Sequence, residues 1–129
     1  MRNRLTQQYK ETDQIRTTSK SDPHSLLITC FDELLKSIVT FQKNVIPDTS
    51  NFRVKSSSFS RALTIIYTLQ SSLDFEKDIG VAKSLFQIYE YTRAALISEF
   101  KLCKVEKSEY AVRALSEIKE SWQKIEQNT

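Results

Sequence analysis

The stretch SDPHSLLITCFDELLKSIVTFQKNVIP, residues 21–47, decides the fold class. Ser21 or Asp22 suits a helix N-cap, because a short side-chain oxygen can accept from the N–H groups that the first turn leaves unpaired. Pro23 then falls at the first or second helical position, where a missing N–H does no harm and the fixed φ is already helical. Leu27, Cys30, Phe31, Leu34, Ile38, Phe41 and Val45 follow at steps of three and four, so they share one helix face. Pro47-Asp48-Thr49-Ser50-Asn51 stops the helix. A long helix with an unbroken apolar face requires other elements to cover it.

The same pattern recurs three times downstream. A second helix is expected from about Ser57, with its start reaching back toward Arg53, to Leu73, with Phe59, Ala62, Leu63, Ile66, Leu69 and Leu73 on its face. Asp74-Phe75-Glu76-Lys77-Asp78 breaks it, and the acidic groups there complement the positive end of the next helix. That third helix is expected from about Ile79 to Leu102, with Ala82, Leu85, Phe86, Tyr89, Thr92, Leu96 and Phe100 facing inward. Lys104 to Ser108 is a polar connection, and a fourth helix runs from about Ser108 to Glu126 on Ala111, Ala114, Leu115, Ile118, Trp122 and Ile125. The chain contains one glycine and two prolines. Average usage would supply roughly nine glycines in a chain of this size, and strand turns and phosphate loops depend on them. Short connections between long helices favour antiparallel neighbours. The expected fold is therefore all-α, an antiparallel up-down four-helix bundle over residues 21–129. Residues 1–20 form a short N-terminal helical arm or cap, in which Leu5, Tyr9, Thr12 and Ile15 share one side.

The net charge of +3 is confined to that arm. Arg2, Arg4, Lys10, Arg16 and Lys20 stand there against Glu11 and Asp13, which accounts for the whole excess and leaves the bundle neutral. Nucleic-acid binders carry a basic face on the folded body, so no nucleic-acid partner is expected. Cys30 and Cys103 lie in apolar-periodic segments and read as free thiols of a reducing compartment. The start, MRNRLTQQYKETDQ, has no apolar signal-peptide core, and no apolar run reaches the ~18 residues of a membrane span. A soluble cytoplasmic protein without membrane insertion is expected.

Catalytic chemistry finds no foothold. His24 is the only histidine, whereas zinc and di-iron sites need several ligands at set spacings. It is expected to face solvent in a first turn, which also disfavours a phosphotransfer role. Asp32 and Glu33 point about 100° apart on a helix and form no dyad. No catalytic residue, metal site or cofactor is expected, and the chain reads as a binding protein rather than an enzyme.

The apolar residues left over indicate where binding could occur. The first helix has a second, offset set, Ile28, Leu35, Val39 and Ile46; the third has Val81, Ile88, Ala95 and Leu102 at seven-residue steps, with Tyr91 beside them. The second helix adds Ile65 and Tyr67. Contiguous exposed apolar surface marks binding sites, and a groove between helices suits an amphipathic or folding-on-binding segment. Ile28, Leu35, Val39, Ile65, Tyr67, Val81, Ile88 and Tyr91 are the candidate contacts, with Leu5, Tyr9 and Ile15 as a displaceable cap.

Several segments in order resemble one family: Tyr9, Ser21-Asp22-Pro23-His24-Ser25-Leu26-Leu27, Phe31-Asp32-Glu33-Leu34, Leu73-Asp74-Phe75-Glu76-Lys77, Leu85-Phe86-Gln87-Ile88-Tyr89-Glu90-Tyr91 and the late Trp122. Together they are similar to the flagellar secretion chaperones, FliS. The resemblance implies a cytoplasmic chaperone that binds the disordered C-terminal segment of flagellin, prevents premature polymerisation and supports delivery to the flagellar type III export apparatus. It also implies the export gate or a co-chaperone as further partners, and a monomer or weak dimer. Glu33 stands where the family has glycine, Asp78-Ile79 replaces a Gly-Gly pair, and Glu99-Phe100 replaces Ala-Asn. These departures suit a divergent member with its own flagellin. The rival reading is a helical adaptor or regulator for another flagellar or type III secretion protein.

Overall fold

The computed structural model describes residues 23–127. It contains four helices: α1 (Pro23–Lys43), α2 (Phe52–Ser71), α3 (Ile79–Leu102) and α4 (Ser108–Gln127). The expected arm, with Leu5, Tyr9 and Ile15, and the expected caps Ser21 and Asp22 lie outside the described residues.

Side-chain pairings give the topology. The end of α1 meets the start of α4, where Gln42 Nε2 donates to Ser108 Oγ at 2.8 Å, and the start of α1 meets the end of α4, where His24 Nε2 donates to the Trp122 carbonyl at 2.7 Å. Phe41 packs on Phe59. Lys55, early in α2, reaches the Phe100 carbonyl late in α3, and Gln70, late in α2, donates to Glu90. Each helix is thus antiparallel to its neighbours in the order α1–α2–α3–α4–α1, as the short connections implied.

Local sequence sets the helix ends. Asp48 Oδ1 accepts from the Ser50 N–H and closes the turn between α1 and α2. Asp78 is the N-cap of α3, its carboxylate accepting from the Val81 N–H at 3.1 Å, and Asp74 binds the N–H groups of Glu76 and Lys77. The acidic run therefore does the work assigned to it. α2 begins at Phe52, earlier than Ser57, because Lys55 and Ser58 already belong to the buried face and the Lys55 N–H bonds the Asn51 carbonyl.

Phe31, Leu34, Ile38 and Phe41 of α1 are fully buried and form the spine of the core. Ala62 and Ile66 of α2, Leu96 of α3, and Ala111 and Leu115 of α4 are equally sealed. Removing each large side chain from water contributes about 1.5–3 kcal/mol. Aromatic clusters close both ends of the spine: Phe41, Phe59 and Phe100 at one, Phe31, Tyr89 and Trp122 at the other. Burial, with Cys30 nearby, raises the Tyr89 hydroxyl well above its usual range.

Three expectations need correction. Ile28 and Ala95, placed on outward stripes, are buried; a helix wedged between two neighbours buries a wider arc than one stripe. Phe86 and Ile125, placed on core faces, are exposed, and Phe86 packs edge-on against Phe75. His24 does not face solvent freely: it is half-buried, with its ring against Trp122 and its Nε2 bonded to that residue's carbonyl, which ties α1 to α4.

Candidate functional site

Along the first half of α3 the bundle does not close. Gly80, Val81, Ser84, Leu85 and Ile88 of α3 face Tyr110, Ala114, Glu117, Ile118, Ser121 and Trp122 of α4 across a groove of 640 Å³. Small residues on both walls (Gly80, Ser84, Ala114 and Ser121) leave the space, while Leu85, Ile88, Ile118 and Trp122 pack inward against the core and hold the helices apart. Trp122 is fixed by Phe31, 4.8 Å between ring centroids, and through its carbonyl by His24. At the upper end Tyr91 and Tyr110 stand edge-to-face at 5.4 Å and wall the groove off.

Polar pins join the other neighbouring pairs of helices. Arg61 joins α2 to Glu33 of α1, Lys119 of α4 pairs with Asp32 of α1, and Gln70 joins α2 to Glu90 of α3. Hydrogen bonds from Arg93 and Gln70 hold the Glu90 carboxyl below its usual pKa. Among the described residues, the hydrogen bonds between α3 and α4 are all at Ser108, whose N–H and Oγ both donate to the buried Glu99 carboxylate, at 2.7 and 2.5 Å. The two helices are clamped there and diverge toward Gly80.

The surface this exposes is apolar, with Glu117 as the charged residue in its lining. Val81 and Tyr110 stand exposed at its rim. Gly80 is not required by conformation: an added Cβ would approach Asp78 Oδ1 at 3.6 Å, an ordinary contact. Its smallness shapes the groove. Because both walls are helices whose backbone groups are already paired, a guest finds side chains to pack on but no free strand edge, and must satisfy its own backbone hydrogen bonds. No cluster of His, Cys, Asp and Glu suited to a metal occurs among the described residues.

Of the candidate contacts, Val81 and Ile88 line the groove and Tyr91 stands at its mouth. Leu35 and Ile65 are half-buried against the core, Val39 is half-buried on α1, and Tyr67 projects from α2. The structure does not bring these, or the buried Ile28, into the groove. The α4 wall is absent from the candidate contacts, since Ile118 and Trp122 fall on the face expected to pack in the core. The facing small residues at 80, 84, 114 and 121 were the available signal.

A family model described as flagellar protein FliS matches residues 2–129. The chain belongs to the FliS family. No curated protein and no solved structure matches it. FliS proteins are flagellar chaperones, a family of helical bundles. None of the helices is long and apolar enough to cross a membrane, among the described residues.

Proposed function

We propose that this FliS-family protein is a non-enzymatic export chaperone that binds the disordered C-terminal segment of flagellin in the cytoplasm. Holding that segment prevents premature polymerisation and supports delivery to the type III export apparatus. The observation that carries the reading is the open apolar groove between α3 and α4. An unfolded segment that turns helical on binding pairs its own backbone and lays apolar side chains on Leu85, Ile88, Ile118 and Trp122. Val81 and Tyr110 widen the contact at the rim. Residues 1–20 act as a displaceable cap through Leu5, Tyr9 and Ile15. Support for this comes from the first turn of α1, whose His24 bonds Trp122 of the groove lining.

Calorimetric titration with a flagellin C-terminal peptide tests the reading. Saturable binding with a negative heat-capacity change is expected, since apolar surface leaves water. Absence of binding at salt that screens surface charge overturns it. Competition between that peptide and other flagellar proteins separates this reading from a helical adaptor with another client.

A further inference from the structure

At the end of the bundle remote from the groove, an amine and a thiol from different helices meet. Lys55, in the first turn of α2, is 4% exposed. Its Nζ donates to the Phe100 carbonyl at 3.3 Å, lies 4.7 Å from the centre of the Phe100 ring, and stands 3.5 Å from Cys103 Sγ. No carboxylate pairs with it among the described residues. Cys103 follows the last turn of α3 in the left-handed conformation, φ 59°, with its N–H held by the Glu99 carbonyl at 2.8 Å. It is the non-glycine residue with positive φ among the described residues. Glycine is the usual occupant of that helix-ending position, so the cysteine is there at a conformational cost. The backbone turn directs its sulfur at the sealed amine. The thiol itself is half-buried and within reach of a small solute.

We propose that Lys55 and Cys103 are a peroxide-responsive pair that forms a reversible sulfur–nitrogen crosslink. A hydroperoxide first oxidises the thiol to a sulfenic acid and leaves as water or an alcohol. Thiols at that oxidation level condense with a neighbouring nitrogen. Lys55 first gives one proton to solvent; its neutral amine then attacks Sγ, the S–N bond forms as the S–O bond breaks, and the departing hydroxide takes a second proton from the nitrogen to leave as water. The product, Cys–S–NH–Lys, is the two-electron oxidised form, and two equivalents of thiol reduce it back. Only a short advance of a flexible side chain separates the two atoms. The link ties the start of α2 to the end of α3 and closes a loop of roughly 50 residues, a length at which crosslinks constrain the unfolded chain appreciably.

The test treats the full-length protein with hydrogen peroxide and follows intact mass and peptide maps. The expected product is lighter than the reduced protein by two hydrogens, contains joined peptides carrying Lys55 and Cys103, unfolds at higher urea and reverts with dithiothreitol. Cys30→Ser retains it, which excludes a Cys30–Cys103 disulfide of the same mass. Lys55→Arg and Cys103→Ser lose it. Recovery of Cys103 carrying only added oxygen, joined to Cys30, or unmodified at peroxide levels that oxidise free glutathione overturns the proposal. The wild-type map alone decides among these, whether or not the Lys55 variant folds.

Discussion

Val81→Asp separates folding from binding more sharply than any other change in the groove. Val81 occupies the third position of α3, after the N-cap Asp78, and its N–H already bonds that cap. An acidic side chain there complements the helix dipole and can reach back to the N-cap N–H. With Val81 53% exposed, little packing is lost in the free protein. The unliganded bundle is expected to hold its stability within about 0.5 kcal/mol, the usual range for surface changes. A client seated in the groove meets a different situation. Covering the exposed half of a valine contributes on the order of 0.8 kcal/mol, half of the lower figure for complete burial. If the client seals the new carboxyl from water, it must enter protonated, which at pH 7 costs about 4 kcal/mol from an ordinary Asp pKa near 3.9. The Glu117 carboxylate across the groove adds repulsion. Affinity is expected to fall at least about tenfold, equivalent to 1.4 kcal/mol, and the gap from wild type should narrow as the pH is lowered toward 5. Calorimetry at several pH values, beside urea melts of both proteins, reads all three quantities. Equal affinity in variant and wild type, with unchanged melts, refutes the assignment of this groove to the client.

Other consequences follow from the core and its pins. Leu115→Ala removes a fully buried side chain from the centre of α4 and should lower stability by about 2–5 kcal/mol, seen as a lower urea midpoint at unchanged slope. Ser108→Ala takes one of two donors from the buried Glu99 carboxylate and the acceptor from Gln42; a loss of about 1–3 kcal/mol is expected in the same assay, with the α3–α4 clamp loosened. Burial raises the Tyr89 pKa above its ordinary 10.0, so the unfolded chain releases this proton first. The stability linked to Tyr89 is complete below pH 10 and is lost as the pH climbs toward the raised folded value; Tyr89→Phe should flatten that alkaline limb of the stability profile, and an unchanged limb would contradict the buried hydroxyl.

Much of this architecture is legible without coordinates. The three-and-four spacing from Leu27 to Val45, the break at 47–51 and the acidic run at 74–78 are local signals, because helix periodicity and capping depend on residues within a turn or two of each other. Hence four helices, their order and most of the core face could be read directly. What could not be read was the direction in which each helix turns its second-best face. Ala95 belongs to the same offset stripe of α3 as Val81 and Ile88, yet it is buried while they line a groove, because burial depends on which neighbour crosses at that height.

The groove itself is a tertiary product. It opens where small residues of α3 and α4 meet below the Ser108–Glu99 clamp, and neither helix alone contains that information. The same holds for Lys55 and Cys103, 48 positions apart in the chain, whose meeting rests on the antiparallel register of α2 and α3. Sequence by itself determined a FliS-type helical bundle, since periodicity, caps and motif order are properties of the chain. Where that bundle stays open, and which side chains it brings face to face, was decided only by the packing of one helix on another.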